Sequence, residues 1–196
     1  MPKLITLTGP SQAGKSTAIQ LFKEHKRIGY NPVSIPKYST RDPRDDDSPE
    51  EILTCSEIPS SCNLVYQQYD VRYGIDSKSI TEALSKGQSP IIVINDVRTI
   101  SEIRRIFGEI STTVFIYREP PSYDTHKLVS DTRGVADQNI INKRLKKAES
   151  IYRIYIENIY LFDHVIVNSK DVAQLDHQIS SIIDTLSKSS TKRIFI

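Results

Sequence analysis

The chain is expected to fold as an α/β domain, with about five parallel strands flanked by helices. Three observations carry this expectation. The first is Gly9-Pro10-Ser11-Gln12-Ala13-Gly14-Lys15-Ser16, which fits the phosphate-binding pattern G-x-x-x-x-G-K-[ST] without a mismatch. The second is its setting. The apolar, β-prone run Leu4-Ile5-Thr6-Leu7-Thr8 precedes it, and Lys15 to Lys26 follows with Ala18, Ile19, Leu21 and Phe22 at helical spacing. The third is the alternation of strand-like runs with helical patterns along the rest of the chain, as parallel strands joined by helical crossovers require.

Taken in order, the first strand feeds the loop, whose glycines let successive N–H groups turn toward phosphate oxygens. The helix from Lys15 then presents its positive N-terminus to the same anion. Val33-Ser34-Ile35 is a short extended segment between two prolines. Residues 40 to 63 break the alternation. Asp42, Asp45, Asp46, Asp47, Glu50 and Glu51 make them acidic, Pro43, Pro49 and Pro59 interrupt them, and at most one short helix is expected, near Ser48 to Leu53. Leu64 to Val71 is β-prone and leads into Tyr73-Gly74, and Asp76 to Lys86 reads as a helix stopped by Gly87.

Ile91-Ile92-Val93-Ile94 has the continuous β-branched character of a central strand covered on both faces. Thr99 followed by Glu102 is a capping-box signature for a helix ending near Gly108. Thr113 to Tyr117 is another buried strand. Residues 118 to 137 are polar and hold Pro120, Pro121 and Gly134. Asp137 is placed to cap a long helix from Gln138 to about Ile159, with Ile141, Leu145, Ala148, Tyr152 and Tyr155 on one face. Tyr152, Tyr155 and Tyr160 read as core. Val165-Ile166-Val167 is the last central strand, and Val172 to Leu186 is the closing helix. The expected organisation is a core of residues 1–32, 86–117 and 138–190, insertions at 33–85 and 118–137, and a tail at 191–196.

Composition narrows the function. The chain has 196 residues, 38% of them apolar, and a net charge of +2, which argues against a general nucleic-acid binder. No apolar run approaches membrane-spanning length. Cys55 and Cys62 match no zinc spacing and are too few for a secreted disulfide scaffold, so they read as reduced thiols. The chain enters its first strand without a signal peptide's long apolar stretch. A cytoplasmic protein with no membrane partner is expected.

Phosphoryl transfer needs anions held in line and developing charge neutralised, which is work for arginines and a metal. Lys15 supplies a point charge near the β/γ-phosphates, and the Ser16 hydroxyl is a candidate Mg²⁺ ligand. Arg41 and Arg44, with Pro43 stiffening the turn between them, suit a terminal phosphate. Arg133 and Arg144 are candidates to cover the transferring group, although Lys143, Lys146 and Lys147 also fit Arg144 to an ordinary basic helix surface. Asp96 follows the central strand, where ligands of open α/β sheets bind. It suits either the metal and acceptor or the cap of the next helix. Tyr73 fits either the same phosphate as Arg41 and Arg44 or strand packing.

These residues together resemble the guanylate kinase family. Gly9 to Thr17 looks like that family's G-P-S-G-[AS]-G-K-[ST]-T, and Ser39-Thr40-Arg41-Asp42-Pro43-Arg44 looks like its T-T-R-x-P-R. Arg72-Tyr73-Gly74 is similar to its Y-Y-G, and Asn95-Asp96-Val97 falls at its I-D-V. Arg133-Gly134-Val135-Ala136-Asp137 with Lys143-Arg144-Leu145 resembles its R-G-T-D lid and R-R-L helix. His164-Val165-Ile166-Val167-Asn168 resembles its Y-V-I-V-N. The matches are collinear from about residue 3 to 185.

The resemblance implies a P-loop kinase fold in which 33–85 binds a nucleoside monophosphate and 118–137 is a lid. It implies ATP on Gly9, Pro10, Ser11, Gln12, Ala13, Gly14, Lys15, Ser16 and Thr17, with Mg²⁺ on Ser16 and Asp96. The acceptor set is Ser39, Arg41, Arg44, Tyr73 and Asp96, and the catalytic set is Lys15, Arg41, Arg133 and Arg144. The partners are small-molecule nucleotides, and the protein is a monomer or homodimer.

The departures cluster at the base. Nine residues before Tyr73, where the family has a guanine-reading glutamate, stands Leu64. Ile75 replaces the Ser or Thr after Y-G, and Ile94 replaces the first member of the acidic-x-Asp pair. The family's D-Y-x-F has no clean counterpart. Phosphate handling is retained while base reading is rewritten, with Gln67, Gln68 or Asp70 as candidate readers. A (deoxy)nucleoside monophosphate kinase whose base need not be guanine fits these features. The alternatives are a kinase of a phosphorylated ribose and a non-catalytic guanylate-kinase-like interaction module. The latter type typically loses the phosphate-binding loop that is complete here.

Overall fold

The computed structural model describes residues 2–25, 27, 29–45, 47–68, 70–119 and 138–189. Strand β1 (Leu4–Thr8) is wholly buried and leads through the phosphate-binding loop into helix α1 (Lys15–Glu24). Strand β2 (Pro32–Ser34) joins β1, β7 (Ser89–Val93), β8 (Ser111–Tyr117) and β9 (His164–Val167) in a five-stranded sheet, order β2-β7-β1-β8-β9, every neighbouring pair parallel. The expected parallel α/β core is therefore present.

Alternation along the central strands divides the core. Ile5 and Leu7 on β1, Ile91 on β7 and Val114 and Ile116 on β8 pack with Ala18, Ile19 and Phe22 of α1. Leu175, Ile179 and Ile183 of helix α5 (Val172–Ser189) complete that layer. Leu4, Ile92 and Ile94 face the other way, against Ile80 of helix α2 (Ser77–Ser85) and Ile100 and Ile103 of helix α3 (Val97–Phe107). Helix α4 (Gln138–Glu157) precedes β9. Its Tyr152 and Tyr155 pack on Phe115 of β8, at ring-centroid distances of 6.5 and 4.3 Å. Tyr160, expected in the core, is 73% exposed, because it lies beyond the end of α4.

A second sheet of four strands, order β4-β3-β6-β5, comes from residues 37–75: β3 (Lys37–Ser39), β4 (Ile52–Thr54), β5 (Leu64–Gln68) and β6 (Val71–Ile75). No helix forms near Ser48 to Leu53, where at most one short one was expected; turns lead into β4, which pairs parallel with β3. β5 and β6 form an antiparallel hairpin, with Leu64 opposite Ile75 and Tyr66 opposite Tyr73. The insertion expected at 33–85 overlaps the central sheet at one end, since Val33 pairs with Pro90. At the other end, α2 packs on the central layer through buried Ile80.

The helix caps also differ in detail. Asp96, rather than Thr99, caps α3. Its Oδ2 accepts from the Thr99 N–H at 2.8 Å and the Thr99 hydroxyl at 2.7 Å. Arg133, Asp137, the 118–137 segment beyond Glu119 and the tail lie outside the described residues, as does the side chain of Arg144 on α4.

Candidate active site

Leu7 and Val93 pair in register, so the C-terminal ends of β1 and β7 are adjacent, and the helices that follow them lie on opposite faces of the sheet. That arrangement opens a crevice beyond the strand ends. The loops are tied across it: Gly9 N–H donates to Asn95 Oδ1 at 3.1 Å, and the Thr8 hydroxyl donates to Ile94 O at 2.7 Å.

The phosphate-binding loop turns through left-handed backbone at Gln12 (φ 64°) and at Gly14 (φ 91°), the N-cap of α1. Gly14 has no side chain to cap the helix, so the first-turn N–H groups remain open to an anion. Asn168, following β9, braces the loop by donating from Nδ2 to Ala13 O at 2.8 Å. Arg118, following β8, braces it by donating to Gln12 O. Gln12 Nε2 is buried and has no hydrogen-bond partner among the described residues.

A cavity of about 480 Å³ extends from this loop to the second sheet. Ser11, Gln12, Gly14, Lys15, Ser16 and Thr17 line its donor end, and Arg41, Arg44 and Tyr73 line the far end. Gly9, Pro10 and Ala13 shape the loop behind the wall. Lys15 folds back, donating from Nζ to Gly9 O at 2.9 Å and Pro10 O at 2.5 Å. Burial, then the charge of Lys147, push its ammonium down to about 8 against the opposing pull of Glu51. The Ser16 hydroxyl donates to Glu51 Oε2 at 3.0 Å, and Lys23 pairs with Glu50 at 2.5 Å, so the acidic segment rests on α1.

At the far end, Arg41 donates to the Asp42 carbonyl at 2.7 Å and pairs with Asp47. Asp47 also accepts from the Arg44 N–H at 2.8 Å, closing the turn around Pro43. Burial raises the Asp47 carboxyl, but the hydrogen bonds from Arg41 and Arg44 outweigh it and hold the group below the usual carboxylate range. Ser39 is fully buried opposite Tyr73. Burial raises the Tyr73 phenol, with Arg41 and Arg44 pulling it down. Tyr66 stacks on Tyr73 at 5.1 Å.

The fold brings together Lys15, Ser16, Arg41, Arg44 and Tyr73 from segments far apart in sequence. Asp96 is not in the cavity wall; both of its bonds go to Thr99, and Asn95 beside it faces the cavity instead. Of the candidate base readers, Gln68 lines the cavity, while Gln67 and Asp70 do not. Leu64, Ile75 and Ile94 are buried in the hydrophobic layer with Ile80 and Ile100. Sequence reading missed Lys37, Glu51, Tyr66, Arg118 and Lys147 in the wall. For Lys37 a signal existed: on a strand, residues two apart share a face, and Ser39 was already a candidate.

The sequence model of the guanylate kinase family matches residues 1–188. The chain belongs to the guanylate kinase family. Its relatives include the guanylate kinase of Oceanobacillus iheyensis, 30% identical over 97% of this chain and 89% of the relative. The guanylate kinase of Latilactobacillus sakei subsp. sakei is 31% identical over 93% of this chain and 88% of the relative. The crystal structure of guanylate kinase from Anaplasma phagocytophilum superposes with a TM-score of 0.61 at 20% identity, covering 94% of this chain and 85% of that one, a likeness of fold. Family membership makes the chain a phosphotransferase with the P-loop kinase fold. Among the described residues, no helix of this family member is long and apolar enough to cross a membrane.

Proposed function

We propose that this guanylate kinase family member transfers the γ-phosphoryl group of Mg-ATP to the phosphate of a nucleoside monophosphate whose base need not be guanine. The observation that carries the reading is the continuous cavity with the phosphate-binding loop at one end and Arg41, Arg44 and Tyr73 at the other. The open first turn of α1 and the unpartnered Gln12 Nε2 fit a triphosphate. In this reading Lys15 exchanges its carbonyl partners for phosphate oxygens, and Arg41 and Arg44 orient the acceptor phosphate. Arg133 and Arg144 complete the charge around the transferred group.

The donor set also fits Mg²⁺, which prefers oxygen ligands and keeps several waters. Ser16 Oγ and Glu51 Oε2 lie 3.0 Å apart beside the loop. Ser16 would hold the ion, which when bound neutralises charge on the phosphates.

Base selection supports departure from guanine. Leu64 is 6%, Ile75 1% and Ile94 0% exposed. None of the three lines the cavity, so they offer a base no polar partner, and a guanine edge left without partners loses about 1–3 kcal/mol for each unpaired polar group. Gln68, Tyr66 and Asn95 are uncharged polar groups that do line the cavity. The same apolar positions favour a second reading, a kinase of a phosphorylated ribose, which has no base edge to satisfy. The test is ADP release from Mg-ATP against a panel of ribo- and deoxynucleoside monophosphates and ribose phosphates. Turnover with one nucleotide identifies the base, and turnover with ribose phosphates alone selects the second reading. No turnover with any acceptor, together with no ATP binding, overturns both.

A further inference from the structure

Among the residues lining the cavity is Lys37, which no motif marks. It lies on β3, two residues before Ser39, in the cavity wall. Its Nζ donates to the Val93 carbonyl at 3.0 Å and sits 5.0 Å from the centre of the Tyr73 ring. Among the described residues, no carboxylate forms an ion pair with it. Lys147 of α4 approaches the same ring at 6.0 Å.

The charges around Lys37 are unbalanced. Lys15 faces it from α1, Arg41 and Arg44 from the turn after β3, Lys147 from α4 and Arg118 from the end of β8. Against these stand Asp47, committed to Arg41, and Glu51, hydrogen-bonded to Ser16. Tyr66 and Tyr73, from β5 and β6, are held protonated by burial. Among the described residues, six cations thus share the wall with two carboxylates. An enclosed, unpaired cation among others is costly unless an anion joins it.

We propose that Lys37 is an acceptor-binding residue that donates to the acceptor's phosphate group, alongside Arg41 and Arg44, and takes up a proton as that phosphate arrives. The inference rests on the kinase reading above. It assigns the acceptor rather than the donor phosphate because Lys37 is carried by the strand that leads into the Arg41–Arg44 turn and lies over Tyr73. Burial first, then Lys15, Lys147 and Arg41, push the Lys37 ammonium down to about 7 in the unliganded protein. A bound dianion raises it again. Affinity for a dianion of fixed charge should therefore be level below pH about 7 and fall above it, by up to tenfold per pH unit.

The test uses the full chain with its donor site filled by Mg-AMPPNP, whose terminal phosphate occupies the γ position and keeps Lys15 charged. Sulfate, a dianion across the whole pH range used, is then titrated in by calorimetry from pH about 6 to about 9. The wild-type protein should lose sulfate affinity above neutrality and take up protons on binding, seen as a dependence of the heat on buffer ionisation. Lys37→Met should bind sulfate at least about tenfold more weakly at pH 6.5, with a flat pH profile and no such uptake. Lys37→Arg should bind without the alkaline loss. AMPPNP affinity should be equal in all three proteins, which also reports an intact fold. Four results would each overturn the proposal: no sulfate binding by the wild-type protein, equal binding by Lys37→Met, persistence of the pH dependence in that variant, or a parallel loss of AMPPNP affinity. Failure of the kinase reading is separately visible as the absence of turnover in the acceptor panel.

Discussion

Gly14→Ala isolates two distinct penalties in the phosphate-binding loop. The first is conformational: φ is 91° at this position, and a Cβ in left-handed backbone costs about 1–2 kcal/mol. The second is a collision. A Cβ here falls 2.4 Å from Asn168 Nδ2, so the amide must leave and its 2.8 Å bond to Ala13 O is lost. That bond contributes about 0.5–1.5 kcal/mol. The expected loss is about 1.5–3.5 kcal/mol in urea unfolding, with at least about tenfold weaker ADP binding because the loop N–H groups are re-aimed. A double-mutant cycle with Asn168→Ala separates the parts. If the collision is real, the bond is already broken in Gly14→Ala, and the two losses should fall short of additive by about 1 kcal/mol. Full additivity would refute the argument that the Asn168 amide and a Cβ at residue 14 compete for the same space.

Three further outcomes follow from the site and its frame. Lys15→Ala should abolish ADP release from Mg-ATP with every acceptor, whereas Arg41→Ala should raise the acceptor KM and leave the donor KM near wild type; unchanged acceptor kinetics would place the acceptor elsewhere. Asp163 Oδ2 accepts from Thr113 N–H and Arg104 at 2.8 Å each and from the Thr113 hydroxyl at 2.9 Å. Asp163→Ala should therefore lower unfolding free energy by about 2–3 kcal/mol, and a loss below 0.5 would contradict that role. Asp47 is held below its ordinary value, so its contribution is present above pH about 4 and lost as pH falls through its folded value. The Tm gap between wild type and Asp47→Asn should accordingly shrink between pH about 5 and 2.5; a gap that is constant or widens would show that the Arg41–Asp47 pair does not stabilise the turn.

The parts of the fold legible in sequence were those whose signal is local. A parallel strand covered on both faces must be apolar throughout, so Leu4–Thr8 and Ile91–Ile94 declared themselves. The phosphate-binding loop was readable because its function lies in consecutive residues. The second sheet was not: β3 and β4 are three residues each, too short to show a period, and their pairing joins residues about fifteen apart across an acidic, proline-broken stretch. The cap of α3 shows a subtler failure. Asp96, Thr99 and Glu102 all fit capping spacings, and the choice went to Asp96 because its carboxylate reaches both donors of Thr99.

The donor end, the parallel core and the Arg41–Arg44 turn thus belong to the amino-acid order itself, since each is a matter of neighbours along the chain. The content of the acceptor end does not. Leu64, Ile75 and Ile94 became one buried apolar layer, out of reach of the cavity, only when the hairpin folded onto the central sheet. Lys37, an ordinary polar residue between two prolines in the sequence, became a cation with no counter-ion among the described residues only when β3 set it between Tyr73 and the Val93 carbonyl. Charge and burial are properties of everything within a few ångströms of a group, and for these residues the nearest groups come from far along the chain.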